Sequence, residues 1–181
     1  PVGARPELGD LTAARGRLAS VYGVALNWAY RPGGLSTDSI LARGLAAASR
    51  ALDDDSMIAD AWLGRGWLLF FRGQKQDFGP ALKALRRAVA LDPASDQAHH
   101  YLAAVLRRLG RFDESEQEYH RALAINPVRL QTMADVGFIA LSRRSYQVAL
   151  QWYDRAVAVD STVSSTSMIR ARARAGNGDI A

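Results

Sequence analysis

Histidine and aspartate are the residue types in this chain that could hold a metal ion or transfer a proton. His99 and His100 are adjacent, and neighbouring side chains on a helix point about 100° apart, so the two rings cannot easily share one metal ion. His120 falls in the next helical stretch. The acidic run Asp53–Asp55 lacks the spacing and the glycine of a calcium-binding loop. We therefore predict no metal site, with the histidines on a surface or in a groove and the acidic run at a turn.

The patterns of nucleophilic and phosphate-binding chemistry are also missing. The chain has no cysteine, which excludes disulfides and thiolate sites. The glycines between Gly73 and Gly79 do not form the loop that binds phosphate after a strand. The polar run Ser161–Ser167 could accept phosphate, although a turn followed by a helix cap is the commoner role of such a run. Because no nucleophile–base pair or carboxylate pair is evident, we predict a non-catalytic protein without a cofactor.

Composition favours a helical globular protein. Of the 181 residues, 49% are hydrophobic and 23% charged, and alanine, leucine and arginine dominate. The net charge of +5 comes mainly from arginine, since Lys75 and Lys83 are the only lysines. Arginine suits carboxylates and phosphates, so an acidic partner is one interpretation. The other is a GC-rich genome that encodes arginine in place of lysine, because the basic residues are interspersed with acidic ones.

The chain lacks the hydrophobic segments of a membrane or secreted protein. The longest apolar candidate, Trp67–Phe71, has five residues, whereas a membrane-crossing helix needs about 20. The chain begins at Pro1 without a signal-peptide pattern, and we expect it to be a piece of a longer protein. We predict a cytoplasmic location and no contact with a membrane.

An internal repeat is the strongest pattern in the sequence. The segments Arg87–Pro93, Arg121–Pro127 and Arg155–Ser161 share an arginine, two alanines and a closing aspartate or asparagine, and they recur every 34 residues. A weaker copy is Arg50–Ser56. This period, with an alanine-rich helix that ends at proline, resembles the tetratricopeptide repeat.

The segment 96–129 matches that repeat best. Leu102, Ala103 and Leu106 take the large–small–large positions of the family's first helix, and Gly110 ends it, where a positive φ is needed. The second helix carries Ser115, Tyr119 and Ala122 on its inner face and ends at Asn126-Pro127. The small residues Gly66, Ala103 and Gly137 are expected where the two helices of a repeat cross.

The resemblance implies an all-α fold, a right-handed superhelix of stacked antiparallel helix pairs. We predict an N-terminal helix pair at 1–58 that forms a degenerate repeat or cap. Repeats follow at 59–95 (with a three-residue insertion, Gln74–Gln76), 96–129 and 130–163. The last segment, 164–181, matches only the first helix of a truncated repeat.

The N-terminal pair is predicted from helical periodicity. The first helix runs from about Leu11 to Tyr30, and Arg31–Gly34 breaks it. The second runs from about Ser39 to Leu52, with Ser36, Thr37 or Asp38 as its cap. The apolar stripe of the first helix consists of Leu11, Ala14, Leu18, Val21, Ala25 and Trp28.

The family resemblance also implies a function, because first helices of this family line a concave groove that holds peptides. The predicted groove residues are aromatic and arginine-rich: Leu63, Trp67, Phe70, Phe71, His100, Tyr101, Arg107, Arg108, Asp135, Phe138, Leu141 and Arg172. Aromatic residues and arginine are common anchors of interfaces. A second interpretation remains open, in which Trp67 and Phe70 pack against the N-terminal pair or the Gln74–Gln76 loop.

We expect the partner to be a protein or peptide of unknown identity. Some members of the family clamp the carboxylate of chaperone C-terminal tails with lysine, asparagine and arginine. The corresponding positions here are Leu63, Trp67, Tyr101, Gln131 and Asp135, so we predict no binding of such a tail. The alignment that starts at 96 gives His100, Ala104, Asp135, Ser165 and Ile169, which also fails.

The sequence is also compatible with two other kinds of partner. Self-association through the truncated C-terminal end is the main alternative, giving a homodimer. Nucleic acid is a minor alternative, based on Arg107, Arg108, Arg111, Arg143 and Arg144 as a ridge. The stretch Ala59–Gly66 resembles repeats attached to bacterial regulators. We therefore expect a scaffold or adaptor within a larger bacterial regulatory protein.

Overall fold

The computed structural model describes residues 8–27, 32–73, 77–162, 170 and 173–176, and these contain helices but no strand. The prediction of an all-α fold is therefore confirmed. A short 3₁₀ turn, Pro32–Gly34, follows the first helix, and 173–176 is helical. The α-helices are α1 (Leu8–Asn27), α2 (Thr37–Asp54), α3 (Ala59–Arg72), α4 (Phe78–Leu91), α5 (Asp96–Arg108), α6 (Phe112–Ile125), α7 (Leu130–Ser142) and α8 (Tyr146–Val159).

The residues group into two compact units, Pro1–Val105 and Leu106–Ala181, and the division falls inside α5. In the first unit α1 packs against both α2 and α3, and α3 packs against α2 and α4. In the second unit α7 packs against α6 and α8. The proposed division into repeats stays a prediction.

Close helix packing in the first unit depends on small residues. A Cβ atom on Gly64 would lie 2.6 Å from the carbonyl carbon of Ala19, which places the backbones of α1 and α3 almost in contact. On the other side of α3, a Cβ atom on Gly66 would lie 2.6 Å from Cγ of Leu85 on α4. The prediction that Gly66 lies at a helix crossing is confirmed, because any side chain there would push α3 and α4 apart.

Helix α1 buries mostly a different face from the one its apolar stripe suggests, although Ala25 of that stripe is buried as predicted. Leu11, Leu18 and Val21 are 41%, 44% and 60% exposed. The buried face instead carries the small or short residues Thr12, Gly16, Ala19 and Gly23, with Leu26 at its end. Small residues allow α1 to approach α3 closely, and this contact outweighs the burial of a few leucine and valine side chains. Trp28, the last member of the predicted stripe, lies outside the described residues.

Helices α2 and α4 begin with different local chemistry. Ser36 caps α2, because its Oγ accepts a hydrogen bond from the Ser39 amide at 3.2 Å. This selects one of the three predicted cap residues. Asp77 precedes α4, but its side chain makes no cap hydrogen bond. It is buried and accepts hydrogen bonds from Arg72, one of them from Nε at 2.7 Å.

Candidate functional site

The aromatic residues predicted to line a groove in the first unit form an internal stack. The rings of Trp67 and Tyr101 are parallel, with centroids 3.8 Å apart, and Phe70 stacks on Trp67 at 5.0 Å. Trp67 also meets α1, since a Cβ atom on Gly23 would lie 2.8 Å from its ring. Trp67 is 4% exposed. Of the two interpretations left open by the sequence, the structure shows packing against the N-terminal pair for Trp67.

Several other predicted binding residues of the first unit are also buried. Leu63, His100 and Tyr101 are 4%, 1% and 3% exposed. Phe70 and Phe71 are partly buried, and the Phe71 ring meets Trp67 edge-on at 5.5 Å. We correct the expectation of an exposed aromatic cluster here: these side chains interlock because aromatic rings gain more by covering one another than by facing water.

The second unit places Arg107, Asp135 and Tyr119 together. The guanidinium Nη2 of Arg107 lies 3.6 Å from Oδ1 of Asp135, which makes an ion pair without a direct hydrogen bond. Burial raises the pKa of the Asp135 carboxyl, although Arg107, Tyr119 and Arg129 all favour its ionised form. Burial lowers the pKa of Arg107, but the nearby Tyr119 hydroxyl and Asp135 carboxylate raise it more, so the net pKa is raised. The Arg107–Asp135 ion pair is therefore partly buried, with both side chains still reaching the surface.

Phe138 presents the apolar surface beside this pair. It lies one turn after Asp135 on α7 and is 43% exposed. The Arg107 guanidinium carbon is 5.4 Å from the centre of its ring, within the range of a cation–π contact. A cavity of about 700 Å³ opens next to Phe138. It is lined by Phe138, Leu141, Ser142, Arg144, Tyr146, Ala175 and Gly176. We call this cavity the α7–α8 pocket.

Arg144 has a strained backbone at the edge of the α7–α8 pocket. Its φ is 59°, and it is the one residue other than glycine with positive φ in the part of the sequence that the structure describes. Helices α5 and α7 end in the same way: the Arg111 amide donates to Leu106 and the Ser145 amide donates to Ala140, both at 2.9 Å. This end needs a left-handed residue, which is Gly110 after α5 but Arg144 after α7.

The sequence alone identified part of this pocket. The sequence predicted Phe138 and Leu141 as groove residues. It placed Arg144 only in the basic ridge, and it did not predict Tyr146, Ala175 or Gly176 as pocket residues. Arg144 carries a signal that could have been found, because it occupies the repeat position of Gly73 and Gly110. The position of Tyr146 cannot be predicted from the repeat pattern. Its ring occupies the place that a Cβ atom on Gly176 would take, and this contact depends on the tertiary fold. Arg172 lies outside the described residues.

Most of the arginines of the proposed basic ridge are paired with acids. Arg107 pairs with Asp135, and Arg111 binds Glu114 with 2.5 and 2.6 Å hydrogen bonds. Arg143 binds Glu116 and Asp113, each at 2.6 Å. Arg108 and Arg144 are exposed. These ion pairs reduce the charge that the second unit could offer to a nucleic acid backbone.

The residues that the structure describes show neither a metal-binding cluster nor a membrane-spanning helix. They contain no group of three or more histidine, aspartate or glutamate residues placed to hold a metal ion. None of their helices is both long enough and apolar enough to cross a bilayer. His99 is held by its own turn, with Nε2 3.1 Å from the carbonyl oxygen of Pro93.

The fold belongs to the class of helical-repeat proteins. It is similar to the crystal structure of MamA protein, with a TM-score of 0.69 and 18% identity over 90% of this chain and 84% of that one. It is also similar to the first TPR of Spaghetti (RPAP3) bound to an HSP90 peptide, SRMEEVD. That likeness has a TM-score of 0.63 and 17% identity, and it covers 68% of this chain and 96% of the other.

Sequence comparisons identify the type of repeat. Residues 96–127 match the model of the tetratricopeptide repeat. Anaphase-promoting complex subunit 3 of Schizosaccharomyces pombe (strain 972) is 26% identical over 97 residues, which is 54% of this chain and 15% of the relative. The resemblance to the tetratricopeptide-repeat family, inferred from the residues, is thereby confirmed. Such repeats generally mediate protein–protein interaction and are generally non-catalytic.

Proposed function

We propose that this protein is a non-catalytic interaction module whose α7–α8 pocket receives an apolar side chain of a peptide or protein segment. The observation that carries the proposal is the exposure of Phe138 at the mouth of a cavity of about 700 Å³. An aromatic ring left 43% exposed beside a cavity of this size gains most when a partner covers it.

Charge gives the pocket a second preference. Arg144 lines the cavity, is exposed, and makes no ion pair with any residue that the structure describes. Its guanidinium could bind a carboxylate of the bound segment in a bidentate manner. We therefore propose a ligand with an apolar residue close to an acidic residue or to a free terminal carboxylate. The strained backbone of Arg144 supports this assignment, since left-handed residues other than glycine cluster at functional sites.

The α7–α8 pocket differs from the clamp that holds a chaperone tail, because it is lined by other positions of the repeats. One protein of similar fold is bound to an HSP90 peptide, but its identity to this chain is 17%. Here the clamp positions carry Leu63, Trp67, Tyr101, Gln131 and Asp135, and the first three are buried. We propose that the protein does not bind such tails and that it serves within a larger bacterial regulatory protein.

A random peptide library displayed on phage and selected on this protein would identify a ligand for the pocket. The affinity of the selected peptide is then measured for Phe138→Ala and for Phe112→Ala. Phe112 is a matched control, because it is 44% exposed on α6 in the same unit and does not line the pocket. We expect Phe138→Ala to weaken binding about tenfold or more, as for an interface anchor, and Phe112→Ala to leave it unchanged. Equal effects of the two changes would contradict the proposal.

A further inference from the structure

A second cavity, of about 400 Å³, lies in the first unit between α1 and α2. Its lining from α1 is Arg15, Leu18 and Tyr22, and its lining from α2 is Arg43, Ala46, Ala47 and Arg50. We call it the α1–α2 groove. The spacing of these residues (i, i+3, i+7 on α1 and i, i+3, i+4, i+7 on α2) places each set on one helix face. The groove therefore runs along both helices over two turns.

The walls of the α1–α2 groove are apolar and open to solvent. Leu18 is 44% exposed, and the α1 stripe continues through Leu11 and Val21, at 41% and 60%. On α2, Ala46 is exposed and Ala47 is buried, so the floor carries short side chains. Short residues between two helices leave space that larger side chains of a third element can enter.

Of the three arginines that line the groove, one is paired with an acidic residue and two are not, as far as the described part of the chain shows. Arg15 forms an ion pair with Asp54, and Thr12 donates to the same carboxylate oxygen at 3.3 Å. That pair is therefore nearly neutral. Arg43 and Arg50 make no ion pair with any residue in the described ranges. They are seven residues apart on α2, a rise of about 10.5 Å along the helix axis. Two unbalanced positive charges thus border an apolar floor.

We propose that the α1–α2 groove binds an acidic amphipathic helix of a partner protein. Apolar residues of this helix would pack on Leu18, Tyr22 and Ala46, and acidic residues two turns apart would face Arg43 and Arg50. An amphipathic helix in a groove is a common recognition mode with anchors at this spacing. The proposal goes beyond the function assigned to the α7–α8 pocket, because it concerns another surface and another kind of ligand.

A helix suits this surface better than a membrane or a nucleic acid does. The groove is concave and can accommodate the side chains of a partner. A membrane surface instead binds a convex helix face that inserts between the lipid headgroups. Among the residues that the structure describes, only two of its arginines are unpaired, since Arg15 is bound to Asp54. A nucleic acid backbone needs contacts from more basic residues than these two to bind. An acidic helix can direct its own carboxylates toward Arg43 and Arg50 and its apolar face toward Leu18.

The test uses a fluorescent synthetic peptide of about 20 residues, long enough to form a helix on binding. It has leucines along one face and pairs of glutamates seven residues apart beside that face. The control peptide has lysine at every glutamate. Binding to the whole protein is followed by anisotropy at physiological salt. Three variants are compared: Arg50→Glu replaces one positive charge by a negative one, Ala46→Phe fills the groove, and Lys83→Glu makes the same charge change on an exposed position of α4.

The expected result is a preference of at least tenfold for the glutamate peptide, with affinity reduced at least tenfold by Arg50→Glu and by Ala46→Phe and unchanged by Lys83→Glu. Circular dichroism checks that every variant keeps its helicity. Absence of binding, equal affinity for both peptides, or no effect of Arg50→Glu would overturn the proposal. Binding to phosphatidylserine vesicles that depends on Arg50 but not on the space beside Ala46 would also overturn it, by assigning the surface to a membrane.

Discussion

The ring of Tyr153 lies where a side chain on Gly137 would have to be. A Cβ atom built on Gly137 would be 2.8 Å from Cζ of Tyr153 and 2.9 Å from Cε1, far closer than van der Waals contact. Tyr153 is fully buried on α8, and Gly137 is buried on α7. This contact sets the separation of the two helices, as predicted from the small residue at the helix crossing.

Changing Gly137 to alanine should therefore destabilise the protein, although alanine favours helix. We expect a loss of about 1–3 kcal/mol in the free energy of unfolding, the usual cost of overpacking a core. Urea denaturation measures it. Gly79→Ala is the matched control: Gly79 is in the first turn of α4, and apart from its chain neighbours no atom lies within 4 Å of its Cβ position. This change should therefore cost less than Gly137→Ala, because the added Cβ meets only the ring of Pro80 that follows it. A stable Gly137→Ala variant would contradict the helix contact described above.

The sequence predicted the fold well because the repeat carries information at several scales. The 34-residue period, the glycines at helix crossings and the proline that ends a helix are local signals with direct mechanical causes. The face of α1 was harder to predict. Its leucines and valine lie on one stripe, yet Gly16, Ala19 and Gly23 lie against α3. Hydrophobic periodicity does not reveal that close packing through small residues can outweigh burial of larger ones.

The candidate site was only partly predictable for a different reason. A repeat alignment shows which helix face a residue occupies, but not what covers that face. Trp67 is at a groove position, and the structure covers it with Tyr101, Phe70 and α1. Phe138 is at the equivalent position of a later repeat and stays exposed. Which neighbours cover a residue depends on tertiary contacts that the repeat period does not contain.

Trp67 and Phe138 should consequently respond differently to truncation. We expect Trp67→Ala to lower the free energy of unfolding by about 3–5 kcal/mol, because it removes a buried ring and its stacking partners lose contact. Phe138→Ala should change the free energy of unfolding by less than about 1 kcal/mol, because that ring is half in solvent. Urea titration of both variants measures the difference. If Trp67→Ala lowered the free energy of unfolding by less than about 1 kcal/mol, the result would contradict the buried stack and indicate that Trp67 lies at the surface.

The pair of Arg72 and Asp77 should make stability depend on pH in the acidic range. The hydrogen bond from Arg72 outweighs burial and lowers the pKa of Asp77. A lowered folded-state pKa gives stability that is present above the ordinary carboxyl pKa of about 3.9 and is lost as pH falls through the folded value. The stability difference between the natural protein and Asp77→Asn should therefore be constant from neutral pH to about pH 5 and shrink below about pH 4.

Urea titrations at several pH values test this prediction. Asp113→Asn is the control, because Asp113 also pairs with an arginine, Arg143, but its side chain is 92% exposed. We expect this second variant to be close to the natural protein at every pH, since exposed ion pairs contribute little. A difference for Asp77→Asn that grows as the pH falls would show that the carboxylate is not stabilised by Arg72.

Arg144 should lower the free energy of unfolding through its strained backbone and strengthen peptide binding through its guanidinium. Its left-handed backbone costs a residue with a side chain about 1–2 kcal/mol, which glycine avoids, while glycine adds about 0.4–1 kcal/mol of chain entropy to the unfolded state. We expect Arg144→Gly to raise the free energy of unfolding by about 0.5–1 kcal/mol. The same change removes the guanidinium from the α7–α8 pocket, so the peptide selected on the protein should bind at least about tenfold more weakly. Arg144→Ala separates the two effects, because it removes the charge and keeps the strain: it should lose binding equally and gain no stability. If Arg144→Gly bound the peptide as tightly as the natural protein, the Arg144 guanidinium would have no role in recognition.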